Sequence, residues 1–387
     1  GHETAVSNSS PYYTAPANVA VMQKELAFLP AWYADRGDVV LTVGEIDRNF
    51  LLHLSENLLF GVKGITLNDL NCYPDHYVRL WGVSPQAIHY FEELNLIYNL
   101  QLQLPVWNEE LIYLTGRQSG NESLGVLCDS IKIFSDFAIP RLFYSVEDIE
   151  LAVEKSSFQL LAKAPYSSSG RGLLWLPMDG LTRTERQILH GMIKKQGAVS
   201  VEKVLDKQID FAMEFDSDRE GNVHFMGYSL FYTNNKGAYL GNYIGSQTHI
   251  EEIITAKISL SLLNEVKDHL IEILSKKYAP YYTGCIGVDM LIYKEENVYK
   301  LHPCVEINLR SNMGLLALHI SENYIDSKSQ GQFRLDFSAK EGEIFHRHNE
   351  MMKTHPALFY GGRIVSGYLP LCPVHAASHY WAYILVS

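Results

Sequence analysis

The sequence predicts an α/β (α+β) protein of two or three domains, and three observations carry that expectation. At 387 residues the chain exceeds the usual size of a single domain. Hydrophobic residues make up 47 % and charged residues 20 %, a balance that fills a large buried core. Segments with helical apolar spacing alternate with short strand-like runs, and in the second half long strands are paired through polar turns.

In chain order, "DVVLTV" is expected to be a short strand. "SPQAIHYFEELNL" is a helix with Ser84 as N-cap and Pro85 at the first helical position. "ELIYLTGRQSGNES" ends in a polar, Gly-containing stretch, expected to be a loop and a domain boundary near residue 125. "SVEDIELAVEKS" is a helix capped by Ser145 and Asp148. "FQLLA" and "LLWL" are strands joined by a loop of small residues, and "TRTERQILHGMIKKQG" is a helix that stops at Gly197. "AVSVEKVL" and "IDFAMEFDSDREGNVHFMGYSLFY" form antiparallel strands, with "DREGN" as a turn. "TNNKGAYLGNYIGSQ" is Gly- and Asn-rich without a period and is expected to be a long loop. "TAKISLSLLNEVKDHLIEILSKKYA" is the strongest helix, and "GCIGVDMLIY" and "VYKLHPCVEINLR" form a hairpin around "KEEN". Beyond Ser311 a helix, polar loops and a final strand, "HYWAYILVS", are expected.

Acidic residues number 44 against 32 basic ones, a formal charge of −12. That balance argues against nucleic acid and anionic membranes as partners. The apolar runs are too short to span a bilayer, and the first twenty residues lack the pattern of a secretory signal. The five cysteines are scattered with no CxxC, so a cytoplasmic setting without disulfides or a zinc site is expected. A homodimer is the base-rate expectation for oligomeric state.

The chemistry concentrates in "VEINLR", residues 305–310. Alternate side chains of a strand share a face, so Val305, Ile307 and Leu309 point to a core. Glu306, Asn308 and Arg310 point the other way. A carboxylate and an amide oxygen two residues apart suit Mg²⁺, which completes its coordination with water and phosphate. Arg310 beside them can hold a phosphate bidentately. Across the "KEEN" hairpin, Asp289 is the single acid of an apolar strand and comes near Glu306, where two buried carboxylates call for a cation between them. Upstream, "KAPYSSSGRG" offers Ser167, Ser168, Ser169, Gly170 and Gly172, small residues whose backbone N–H groups can approach phosphate, with Arg171 within the loop. Lys236 is a further candidate for the γ-phosphate or an acyl phosphate, and Arg363 for a substrate carboxylate. His375 and His379 are expected to be structural. Cys285 and Cys304 are expected to be small core residues facing each other across the hairpin.

Each of these pieces also has an ordinary structural explanation; their co-occurrence in one order is what carries weight. From about Cys128 to Gly314 the chain resembles the ATP-grasp superfamily, through "FQLLAKAPYSSSGRGLLWL", "VSVEKVL", "GCIGVDMLIY" and "VEINLRSNMG". The resemblance implies an ATP-grasp fold: an N-terminal α/β domain (1–125), a central lid subdomain (126–205) and a C-terminal antiparallel-sheet domain with the metal site (206–387). It implies that Lys163 contacts the nucleotide phosphate and that the Ser/Gly loop closes over the phosphates. It gives Glu202, the backbone of Lys203 to Leu205, and Asp210 to the nucleoside, and Lys132 as a second nucleotide lysine. It implies ATP with Mg²⁺ or Mn²⁺ at Asp289, Glu306 and Asn308, and small-molecule or peptide carboxylates and amines as substrates. The implied reaction is a ligation through an acyl phosphate, with Arg310, Lys236 and Arg171 at the reacting centre. A phosphotransferase on the same fold, and a non-catalytic nucleotide-binding protein, are the alternatives.

Overall fold

The computed structural model describes residues 2–44, 47–167, 170 and 172–387. The first part of the chain holds α1 (His2–Asn8), α2 (Ala17–Glu25), β1 (Val39–Leu41), α3 (Arg48–Asn57), β2 (Lys63–Ile65), α4 (Pro85–Tyr98) and α5 (Glu110–Thr115). β1 and β2 pair in parallel. α4 starts as expected, with the Ser84 hydroxyl accepting from the Ala87 N–H at 3.3 Å and Pro85 at the first position, where its missing N–H costs nothing.

The stretch expected to be a boundary loop is instead a helix, α6 (Arg117–Ser130). Its Ser119, Gly120 and Ser123 are buried, and both serine hydroxyls lie within hydrogen-bond reach of the Tyr278 hydroxyl, at 2.8 and 3.0 Å. Small residues permit close packing on the strand Val298–Leu309, and that packing overrides their weak helix propensity.

Next come β3 (Arg141–Phe143), α7 (Val146–Lys155), β4 (Leu160–Lys163), β5 (Leu173–Trp175), α8 (Arg183–Gln196) and β6 (Val199–Lys203). They form an antiparallel sheet in the order β3-β6-β4-β5, with α7 and α8 closing a small core around Ile149, Val153, Leu189 and Val199. The Ser145 hydroxyl caps α7, and Gly197, at φ +82°, ends α8 in the left-handed conformation that glycine adopts freely.

The rest of the chain builds β7 (Asp206–Ser217), β8 (Val223–Thr233), β9 (Tyr239–Ile244), α9 (Gln247–Thr255), α10 (Leu260–Lys277), β10 (Gly284–Glu295), β11 (Val298–Leu309), α11 (Met313–Asn323), β12 (Gly331–Phe337), α12 (Glu343–Thr354), β13 (Leu358–Tyr360), β14 (Arg363–Pro370) and β15 (Tyr380–Val386). Nine strands form one antiparallel sheet, in the order β11-β10-β7-β8-β9-β12-β15-β14-β13. α10 lays Leu263, Val266, Leu270 and Leu274 against Phe211, Met213 and Phe215 of β7, each side chain contributing roughly 1.5–3 kcal/mol by burial.

Two expectations fail here. The segment expected to be a long loop contains β9, which joins β8 to β12; glycines hide the strand period, yet Gly241 is what lets the backbones meet. The C-terminal segment holds three more strands than expected, β12 to β14, and a second helix, α12. Among the described residues, no helix is long and apolar enough to cross a membrane.

Candidate active site

The β10–β11 hairpin pairs Asp289 directly with Glu306 and Gly287 with Asn308. A register shift between Asp289 and Leu291 marks a bulge, so Asp289, Met290 and Leu291 all reach the same cavity, and Val305 lines it too. Val305 was expected in the core; only Ile307 and Leu309 are buried there. Cys285 and Cys304 are not opposite each other: they belong to separate cores, and none of the five cysteines is in a disulfide.

Burial, then the neighbouring Glu306 and Glu214, push the Asp289 carboxyl well above its ordinary range. Asn308 hydrogen bonds to Asp289, and its Oδ1 accepts from Arg310 at 3.0 Å. Arg310 also donates to Glu3 of α1 at 2.6 Å. Burial lifts the Glu3 carboxyl, and the Arg310 guanidinium more than reverses this, holding it at about 2. Among the described residues, no group of three or more His, Cys, Asp or Glu side chains is placed to hold a metal. Two facing carboxylates and an amide nonetheless fit Mg²⁺, which takes one or two carboxylates and fills its coordination with water and phosphate.

The four-stranded sheet faces this hairpin. There Lys163 Nζ lies 2.5 Å from Glu202 Oε1, both side chains nearly buried. Lys203 pairs with Glu295 at 2.5 Å, and Lys203 and Leu205 line the cavity. Asp210 accepts from Lys207 at 2.6 Å and from Thr233 at 2.8 Å. Ser167 and Gly170 line the same space. Gly170, at φ +74°, passes so close to the β8–β9 turn that an added Cβ would lie 2.4 Å from the Gly237 carbonyl oxygen. Gly172 adopts φ +73° against Ala164. Ser168, Ser169 and Arg171 lie outside the described residues.

A cavity of about 820 Å³ separates the two sheets and brings together Lys163, Glu202, Asp210, Asp289, Glu306, Asn308 and Arg310. Three candidates fall elsewhere. Lys132 is exposed on a short 3₁₀ turn, and Lys236 is exposed on the β8–β9 turn; neither lines the cavity. Arg363 donates to the carbonyls of Glu322 and Ile325 at the end of α11 and does not line this cavity. His379 is held by Ser338 and Glu25, in line with a structural role.

Sequence reasoning missed two groups. Arg117, at the start of α6, is buried at the cavity: it donates to the Ala164 carbonyl at 3.1 Å and to Ser167 Oγ at 3.3 Å, and it lies 3.3 Å from Glu306. It places a second cation, besides Lys163, at the cavity, where Lys132 was expected. Glu214 of β7 is 1 % exposed, and burial raises its carboxyl pKa. The alternation Asp210, Ala212, Glu214 in "DFAMEF", the same signal used for β11, could have found it. Arg117 had no local signal. Replacing Arg117 with glutamine is expected to weaken binding of a non-hydrolysable ATP analogue about tenfold, the loss of one charge-assisted contact. An unchanged Kd by calorimetry would remove Arg117 from the site.

A lysine–glutamate pair on a small sheet thus faces an acid pair on a large antiparallel sheet across one deep cavity, and the chain has the ATP-grasp fold. Solved structures agree. N5-carboxyaminoimidazole ribonucleotide synthetase from Thermus thermophilus matches with a TM-score of 0.50 at 12 % identity, over 94 % of this chain and 91 % of that one. Biotin carboxylase from Campylobacter jejuni, solved as a β-γ-ATP complex, matches with a TM-score of 0.50 at 12 % identity, over 94 % and 85 %. The biotin carboxylase domain of Hydrogenobacter thermophilus 2-oxoglutarate carboxylase, solved with MgADP, ADP and bicarbonate, matches with a TM-score of 0.50 at 12 % identity, over 90 % and 86 %. No protein-family model and no curated protein matches the sequence.

Proposed function

We propose that the protein is an ATP-dependent ligase that joins a carboxylate to an amine through an acyl phosphate, releasing ADP and phosphate. The observation that carries this is the placement of the Asp289–Glu306 pair and the Lys163–Glu202 pair on opposite walls of one cavity. Neighbours of the same fold solved with ADP, MgADP and bicarbonate support it. A three-part division is proposed with it, with the second boundary at residue 205 and the first outside α6, within which residue 125 lies.

In the first step a carboxylate oxygen attacks the γ-phosphorus of ATP, the bond to the bridging oxygen breaks, and ADP leaves with its electron pair. In the second, the amine nitrogen bonds to the acyl carbon and the carbon–oxygen bond to phosphate breaks. Of the ammonium's two departing protons, one goes to phosphate and one to water. The chain's task is to position and to neutralise charge. Lys163, oriented by Glu202, and Arg117, oriented by Glu306, bind phosphate oxygens. The backbone of Lys203 to Leu205 and Asp210 hold the nucleoside. Arg310, fixed by Glu3 and Asn308, faces the transferring group. Ser167 and Gly170, at the cavity wall, lie against the phosphates and keep water away from the acyl phosphate. Asp289, Glu306 and Asn308 would hold Mg²⁺ or Mn²⁺. When bound, that ion offsets the charge of the phosphates.

The test is thermal unfolding with a non-hydrolysable ATP analogue, with and without Mg²⁺, on the wild type and on Glu306→Ala. At a hundred times its Kd the analogue is expected to stabilise the wild type by about 2.7 kcal/mol, only with Mg²⁺, and to leave the variant unshifted. No shift with any nucleotide would overturn the proposal.

A further inference from the structure

Beyond the facing acids the cavity continues into a further chamber. Its floor is β7, β8 and β9, and its roof is the start of α11. Across the sheet, Asp289 pairs with Ala212 and Ala212 with Ser229, so the floor begins one strand from the acids. Glu214 lies two residues from Ala212 on the same face of β7. With strands about 4.8 Å apart, its backbone stands roughly 8–10 Å from Asp289.

The fold reserves space for this carboxylate. Its Oε1 accepts from Ser229 at 3.0 Å, and its Oε2 accepts from Asn312, the N-cap of α11, at 2.8 Å. A Cβ on Gly314 would lie 2.0 Å from Oε1, and one on Gly287 would lie 2.9 Å from Oε2. The neighbouring wall holds a second, independent feature. Asn242 of β9 is 1 % exposed; its Oδ1 accepts from the Tyr239 hydroxyl, while its Nδ2 has no hydrogen-bond partner. Buried donors are almost always paired, so an orphan on a cavity wall marks where a ligand's acceptor belongs. A buried carboxylate on β7, two strands away along the wall of the same cavity, marks where a cation belongs.

The geometry points to this chamber as the site of the amine substrate, an α-amino acid or the first residue of a peptide. Its ammonium group is received by Glu214, and its carboxylate or carbonyl oxygen accepts from Asn242 Nδ2. The assignment rests on the ligase reading above and adds the substrate class and the residues that select it. An amine held here faces the acyl carbon activated beside Asp289 and Glu306.

The experiment is calorimetry on protein loaded with Mg²⁺ and a non-hydrolysable ATP analogue. The standard L-amino acids, diglycine and dialanine are titrated one at a time, with n-butylamine and butyrate as probes lacking one of the two groups. At least one amino acid or dipeptide is expected to bind, and both single-group probes to bind about tenfold more weakly or not at all. Glu214→Gln is expected to weaken that binding roughly ten- to a hundredfold and Asn242→Ala about tenfold, with affinity for the ATP analogue kept within about twofold. Retained analogue binding shows that the variants are folded, and the single-group probes on the wild type decide the matter without them. Analogue binding with no response to any amino acid or dipeptide overturns the assignment alone. So does butyrate binding as tightly as the amino acid, or an affinity unmoved by both substitutions. Failure of the analogue itself to bind overturns the ligase reading, and the assignment falls with it.

Discussion

Asp289→Asn is expected to raise the melting temperature of the protein in EDTA and, in the same molecule, to abolish the Mg²⁺-dependent response to nucleotide. Asp289 and Glu306 face each other across two paired strands, and without a cation their repulsion opposes folding. The sign follows from proton counting. Burial, Glu306 and Glu214 raise the Asp289 carboxyl, so the folded state keeps a proton at pH values where the unfolded chain has lost it. This group's contribution to metal-free stability is therefore full below the ordinary carboxylate pKa and is lost as pH climbs through the raised value. Asparagine cannot ionise and flattens that fall. A gain of about 2 °C or more at neutral pH is expected, the size of shift that roughly 1 kcal/mol produces in a chain of this kind. Turnover is expected to drop about a hundredfold or more, as when a charge-stabilising group is removed from a site. Melting curves from acid to neutral pH in EDTA, repeated with Mg²⁺ and the ATP analogue, read both effects. A variant that melts lower in EDTA and still responds to Mg²⁺ would show that the two acids do not share a cation.

Gly241→Ala should be among the most damaging single-methyl changes in the protein. Gly241 lies in β9 at φ +154°, and a Cβ there would sit 2.0 Å from the Phe333 carbonyl oxygen of β12. That atom is backbone, so the strands must part, and β9 is the strand that joins the two halves of the nine-stranded sheet. A loss of roughly 2–4 kcal/mol is expected from overpacking and backbone strain. Gly191→Ala in α8 is the matched control, because nothing lies within 4 Å of its added Cβ. There the better helix propensity of alanine should stabilise by roughly 0.5–1 kcal/mol. Urea unfolding of both variants makes the comparison, and equal midpoints would refute the close approach of β9 and β12.

The acid hairpin was legible because its chemistry is local. The turn at "KEEN" sets which residues face each other, and two-residue alternation in "VEINLR" sets which share a face. The helices capped by Ser84 and Ser145 and ended by Gly197 were legible for the same reason: their signals sit within one turn of the boundary. What escaped depends on distant partners. Ser119, Gly120 and Ser123 look like loop residues until Tyr278 packs against them from 155 to 159 residues away. Gly241 looks like a loop glycine until Phe333 arrives beside it. Arg117 reaches Glu306 from a helix with no motif, and Asn242 owes its place in the cavity wall to the strand order, which no short pattern encodes.

The contact between Arg310 and Glu3 spans 307 positions. Closing so long a loop carries an entropy cost that only the finished tertiary structure offsets. Glu3 without Arg310, in the same buried place, would lose its chief compensating charge. During synthesis, Glu3 must therefore wait without its partner until Arg310 has been made. This contact forms only after both ends of the loop are in place, so a fragment that ends before Arg310 lacks it however well it folds.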